Sequence, residues 1–216
     1  MSFKRDLFSQ FARVGKALSN GNRLELLEYL AQTERSVDDL AKVAGLSVAN
    51  TSQHLQQLRQ VDLVCSTKRG LKVYYRIAGD DVVNLLALLR EVSERHLADV
   101  NKLVSTYLTI KDELEPVARE VLLERVEQGL VTVIDVRPEE EYSAGHLPGA
   151  INVQPKELEQ RLKGLDSEQE IVAYCRGPHC VFSFKAVEQL RQKGFKASRL
   201  EDGFPEWKSA GLPVEL

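Results

Sequence analysis

The stretch AYCRGPHC, Ala173 to Cys180, sets two of the chain's three cysteines five positions apart, with an arginine, a glycine, a proline and a histidine between them. Four chemistries suit these residue types. Cys175 can be a thiolate that carries sulfur, with Cys180 a resolving thiol that attacks a persulfide or a sulfenic acid. The two can form a static structural disulfide. With His179 they offer three metal donors, although adjacent His179 and Cys180 crowd a single ion. Or the loop is inert, kept as a folding or interaction module. We take the reactive Cys175 first, with Arg176 and Cys180 beside it as catalytic candidates, and expect no metal and no cofactor. A thiolate is favoured by nearby positive charge, and Arg176 supplies one directly after Cys175.

The elements around the loop give the thiolate further support. Strand-like EIVAY (Glu170–Tyr174) runs straight into Cys175, and helical spacing resumes from Phe182 to Lys193. In parallel α/β sheets, sites lie beyond the carboxyl ends of the strands. A loop feeding a helix N-terminus directs backbone N–H groups toward one point, which stabilises a thiolate or an anionic donor. The rest of this half alternates in the same way. Helices are expected at Ala118–Gln128, Pro155–Leu162 and Phe204–Ala210. Strands are expected at Val131–Val136, Ala150–Val153 and Ala197–Leu200. Continuous apolar runs such as LVTVIDV suit a parallel central sheet covered on both faces.

The first half reads differently. Apolar positions from Lys4 to Leu18 recur at helical spacing, and Asn20 caps a second helix with Leu24, Leu27 and Leu30 on its buried side. Ser36 begins SVDDLAKVAG with Asp39 three residues on, a capping-box pattern. Gly45 ends that helix, and Ser47 caps SVANTSQHLQQLRQ. Two helices across a tight glycine turn make a helix-turn-helix. On the second of these, Val48, Leu55 and Leu58 face the core, leaving Asn50, Thr51, Gln53, His54 and Gln57 outward, and these together with Ser47 are the candidates for contacting DNA. Amides can pair with adenine, and hydroxyls and imidazoles can reach phosphates or base edges. Strands Leu63–Ser66 and Lys72–Ile77 flank the turn TKRGL, which raises Lys68, Arg69 and Lys72 on a basic tip suited to phosphates. Cys65, on the first strand, reads as a buried structural cysteine.

The 216 residues suit two modest domains. We place a DNA-binding and dimerisation domain at 1–110, a linker at 111–117 around Pro116, and an α/β domain at 118–216. Charge divides with them. Residues 1–110 carry 15 Lys and Arg against 12 Asp and Glu; residues 111–216 carry 14 against 20. A basic half joined to an acidic half fits a nucleic-acid module fused to something else. No apolar run is long enough to span a bilayer, and the start MSFKRDLFSQF lacks a secretory pattern. A cytoplasmic protein with no membrane partner is therefore expected, a setting that disfavours static disulfides.

The order of elements, with SQHLQQLR and VDLVCSTKRGLKVYYRIAGDDV, resembles the ArsR family of winged-helix repressors over about residues 5–108. That resemblance implies a mainly α winged helix-turn-helix domain. It also implies a homodimer on a palindromic operator in double-stranded DNA, paired through a long helix from about Asp80 to Ile110. The stripe from Val82 through Leu108 on that helix supports the pairing on its own account. SVDDLAKV holds none of the cysteines that metal-sensing relatives carry, and the dimer helix offers only His96 beside Glu94 and Asp99. One histidine makes no tetrahedral site.

VIDVRPEEEYSAGHLPGAINV, a cysteine after a strand, and LEDGFPEWKSAGLPV resemble a rhodanese domain over about residues 116–216. By that resemblance Cys175 is the persulfide-carrying nucleophile of a sulfurtransferase, Asp135 and Arg137 tie the loop base, and His146 belongs to the GHLPGA turn. The loop departs from the usual pattern, in which glycine stands fourth. Here Pro178 does, Gly177 is third and Cys180 sixth. Pro178 removes one N–H from any anion cradle.

Together these readings give the expectation of a DNA-binding transcriptional repressor. Its rhodanese-like domain senses or transfers sulfane sulfur from a small donor such as thiosulfate, polysulfide or a persulfide. The alternatives are a sulfurtransferase whose winged-helix half dimerises or tethers it, and a thiol–disulfide oxidant sensor.

Overall fold

The computed structural model describes residues 2–108, 116–154, 156–161 and 169–216. They divide into two compact units, Met1–Leu86 and Ala87–Leu216. The division falls between Leu86 and Ala87, whereas the sequence reading puts a linker at 111–117; residues 111–115 lie outside the described set.

The first unit contains α1 (Phe3–Leu18), α2 (Gly21–Gln32), β1 (Arg35–Ser36), α3 (Val37–Val43), α4 (Val48–Arg59), β2 (Val64–Arg69) and β3 (Lys72–Ile77). Side-chain caps start three of its helices. Asn20 accepts from the Arg23 N–H, Ser36 from that of Asp39, and Ser47 from that of Asn50, each at 3.2 Å. Each cap satisfies one orphan donor of a helix start. Leu26, Leu27 and Leu30 of α2 pack with Leu55 and Leu58 of α4 and Tyr75 of β3. The expected inward set on α2 needs correction, because Leu26 is buried and Leu24 only half so. The helix packs against both β3 and α4, which widens its inner face.

β1, invisible in the sequence because it has only two residues, pairs with β3, so the wing is an antiparallel sheet in the order β1-β3-β2. Arg69 pairs with Lys72, which makes the turn two residues, Gly70 and Leu71, rather than the five of TKRGL. Gly70 has φ 61°, the left-handed conformation that such a turn requires. Cys65 is half-buried and free, not fully buried as expected.

The expected helix from Asp80 to Ile110 is two. α5 (Asp80–His96) and α6 (Ala98–Tyr107) meet at Leu97, whose φ −109° and ψ 103° are extended. The Glu94 carbonyl near the break accepts from the Asn101 side-chain amide at 2.8 Å. Ile110 lies outside the described residues.

In the second unit α7 (Arg119–Glu127) leads into β4 (Val131–Asp135), followed by α8 (Glu139–Ser143), β5 (Ile151–Asn152), α9 (Leu158–Arg161), β6 (Glu170–Tyr174), α10 (Val181–Gln192), β7 (Ala197–Arg199) and α11 (Phe204–Ser209). The four strands are parallel in the order β5-β4-β6-β7. One side of the sheet packs on Leu122, Leu147, Phe204 and Trp207. A second cluster holds Ile134, Val153, Ile171, Val187 and Leu190. The central strands β4 and β6 send residues into both clusters, so the sheet is covered on both faces there, as their largely apolar sequences require. α9 is shorter than the expected Pro155–Leu162, whose two end residues lie outside the described set.

Candidate functional site

Cys175 directly follows β6, and the loop ends at Cys180, the N-cap residue of α10. The two cysteines are joined as a disulfide, their Cα atoms 6.1 Å apart. Cys175 is 1% exposed and belongs to the buried cluster of Ile134, Val136 and Val187, whereas Cys180 is only partly buried.

Arg176 does not face the sulfurs as a free cation. Its guanidinium forms a two-pronged pair with fully buried Glu141 of α8, at 2.7–3.1 Å. Through this pair Arg176 clamps the loop to α8. Glu141 went unrecognised in the sequence because it is the third of three consecutive glutamates, and only burial separates it from Glu139 and Glu140.

Beneath the loop, Asp135 and Arg137 form a fully buried ion pair, Nη2 to Oδ2 2.6 Å. Arg137 also donates to the Gly145 carbonyl at 2.7 Å and stacks over Phe204, 4.0 Å to the ring centre. The Tyr174 hydroxyl donates to Asp135 and accepts from the Leu147 N–H. Burial, and next the Asp135 charge, push that phenol well above its ordinary pKa, so it stays a donor. This network sets the end of β6, one residue before Cys175. His146 stacks on Tyr142 at 3.9 Å, its Nδ1 lies 3.1 Å from the Tyr142 carbonyl, and its backbone pairs with Glu215. Its role is in the turn.

The outer rim of the loop brings in Glu206 and Arg90, which the sequence did not single out. The Phe204 N–H donates to the Cys175 carbonyl at 3.0 Å, and Glu206 accepts from the Gly203 N–H at 3.2 Å. Glu206 also pairs with Arg90 at 2.7 Å, while His179 Nε2 lies 3.3 Å from Glu94. Burial lowers the His179 pKa, with Glu94 opposing. His179 therefore faces a carboxylate at the rim. Among the described residues no group of three or more His, Cys, Asp or Glu is arranged to hold a metal ion.

In the first unit α4 presents Asn50, Gln53 and His54, half-buried to exposed. Three candidates are otherwise engaged. Thr51 is fully buried, its hydroxyl donating to the Ser47 carbonyl at 3.0 Å; one turn from Leu55, it faces inward, a correction to its expected place among the readers. Ser47 spends its hydroxyl on the cap, and Gln57 accepts from buried Arg23 at 2.7 Å. Val48, expected in the core, is half exposed at the first position of the helix. On the wing Lys68 and Lys72 are exposed, while Arg69 pairs with Glu34 at 2.5 Å.

Residues 20–66 match the arsR family of bacterial regulatory proteins, and residues 118–210 match the rhodanese-like domain. The chain is 47% identical to the HTH-type transcriptional regulator Rv0324 of Mycobacterium tuberculosis, over 98% of this chain and 93% of that one. It is 28% identical to the putative sulfurtransferase YtwF of Bacillus subtilis, over 47% of this chain and 97% of that protein. Among solved structures, the homodimeric winged helix-turn-helix DNA-binding domain of Mb0332 from Mycobacterium bovis is 44% identical. The match covers 46% of this chain and 92% of that fragment, with a TM-score of 0.43. No helix among the described residues is long and apolar enough to cross a membrane.

Proposed function

The chain belongs to the ArsR family of transcriptional regulators and carries a rhodanese-like domain, and from that premise we propose that the sulfur state of Cys175 and Cys180 sets its affinity for DNA. The observation that carries this reading is the paired cysteines at the carboxyl end of β6, in the loop that leads to α10. The first unit offers no comparable input, since its single cysteine, Cys65, is unpaired.

The pair can exist as a dithiol, as a disulfide, or with sulfane sulfur added to one thiol or inserted between the two. Thiosulfate, polysulfide or a small persulfide would be the donor. The disulfide supports a thiol–disulfide response as one limb of the same device. A change of state would move the stretch from Gly177 to Cys180, in which Gly177 lies near Arg90 and His179 against Glu94. Both residues sit on α5, a helix that begins at Asp80 in the first unit. A shift in α5 is the physical route by which the loop acts on the reader.

DNA recognition in this account uses Asn50, Gln53 and His54 for bases, with Lys68 and Lys72 on phosphates. A second copy of the chain covers exposed apolar residues of α5, α6 and the break between them, among them Leu88, Val92, Leu97 and Leu103, and the pair reads a palindromic operator. The test is the salt dependence of binding to a duplex selected by the protein from a random pool. For each protomer bound, Lys68→Ala with Lys72→Ala should flatten the slope of log K against log salt by about 2, and weaken binding to all sequences alike. An unchanged slope would remove the wing from the interface.

A further inference from the structure

Resting on the proposal that the loop exchanges sulfur, we propose that Cys180, and not Cys175, is the sulfur through which an external thiolate or hydrosulfide enters the oxidised loop. Exchange at a disulfide is an in-line displacement. The nucleophile approaches one sulfur from the side opposite the other, and the far sulfur leaves. Cys175 is buried among Ile134, Val136 and Val187, so an approach to it would have to come through the apolar core. Cys180 lies at the edge of that cluster, between half-buried His179 and exposed Val181. Its outer side is the one open to a small anion. The fixed pairing of Arg176 with Glu141 leaves the Cys175 end of the loop clamped, while the His179–Glu94 contact at the other end is partly exposed and yields more easily.

The step needs no added oxidant, because the disulfide is itself the oxidant. Hydrosulfide attacks the Cys180 sulfur, the Cys175–Cys180 bond breaks, and its electron pair leaves on Cys175 as a thiolate. Cys180 then carries a persulfide. The Cys175 thiolate next attacks the terminal sulfur of that persulfide. A new bond forms to Cys175, the bond to Cys180 breaks, and the pair leaves on Cys180 as its thiolate. The proton remains on the transferred sulfur. Sulfur thus passes inward, from the accessible cysteine to the buried one. A simple thiol makes the same first step, and because later exchange at its own sulfur can pass the adduct on to Cys175, it is the adduct trapped early that marks the entry point.

Trypsin cleaves after Arg176, which places Cys175 and Cys180 on separate peptides. The experiment uses the full chain with its loop oxidised. Glutathione is added, and the reaction is stopped early with acid, which protonates thiolates and halts exchange. Free thiols are then alkylated with N-ethylmaleimide under acidic denaturing conditions, and the peptides are weighed. Glutathione should be found on the peptide beginning at Gly177 at least ~10-fold more often than on the one ending at Arg176, with Cys175 alkylated; that ratio corresponds to about 1.4 kcal/mol in barrier. Adducts at Cys175, or equal labelling, would overturn the entry assignment and leave the sulfur-exchange proposal standing. A loop that stays oxidised, with neither peptide labelled, would overturn both.

Discussion

Replacing Arg137 with alanine should destabilise the second unit by about 3–5 kcal/mol, the range for removing one partner of a buried ion pair. The Asp135 carboxylate would remain fully buried with only the Tyr174 hydroxyl and the residue 137 backbone N–H as donors. The Gly145 carbonyl would lose a charged donor, and Phe204 the guanidinium stacked on it. Trp207, the chain's one tryptophan, is buried in the cluster that includes Phe204, so its fluorescence follows this unit. In urea, with a slope of roughly 2 kcal/mol per M, the midpoint should fall by about 2 M. Arg137→Lys keeps the charge without the planar fork, and should recover part of the loss. An Arg137→Ala protein with the parent midpoint would show that the network under the loop is not what holds β4 and β6 in place.

Gly203→Ala should displace the loop itself. A methyl group at Gly203 would sit far inside contact distance of the Arg176 carbonyl carbon and oxygen and of the Gly177 nitrogen. These are backbone atoms, which cannot swing aside as a side-chain end does. Gly203 has φ −110°, which alanine adopts without strain, so the cost comes from the collision alone. Overpacking of this kind costs about 1–3 kcal/mol. The alternative to that cost is a loop pushed away from α11, losing the bond from the Phe204 N–H to the Cys175 carbonyl. Either way the cysteines lose their alignment. At a fixed ratio of reduced to oxidised glutathione, the ratio of protein holding the Cys175–Cys180 bond to dithiol protein should fall at least ~10-fold, the equivalent of about 1.4 kcal/mol. Parent-like stability together with parent-like disulfide content would contradict the tight packing of Gly203 on the loop.

The element order, the helix caps and the parallel sheet could be read from the sequence because each depends on local pattern. Asn20, Ser36 and Ser47 announce their helices within four residues, and β4 and β6 are short, largely apolar runs. β1 could not be seen, because two residues carry no period and depend on β3, nearly forty positions on. The break at Leu97 was also hidden, since the apolar stripe continues through it. At the site, Cys175 and Cys180 were legible from their spacing after a strand, whereas the part played by Arg176 was not. Its partner Glu141 lies 35 residues away and looks like its exposed neighbours until the fold buries it. Thr51 fails for the same reason. A short hydroxyl residue on a helix can face inward when its own backbone supplies an acceptor one turn back.

The central claim is that the state of one loop in the rhodanese-like unit is read by DNA affinity. The measurement is the Kd for a selected duplex at one fixed salt concentration, taken on the same preparation as dithiol, as disulfide and after polysulfide treatment, beside Cys175→Ser. At least one modified form should differ from the dithiol form by 5–150-fold, about 1–3 kcal/mol of coupling. The Cys175→Ser protein, which cannot form the Cys175–Cys180 bond, should give one Kd under reducing and oxidising treatment, and with Cys180→Ser added it should also keep that Kd after polysulfide. Equal affinity of the parent protein in every state would contradict the account.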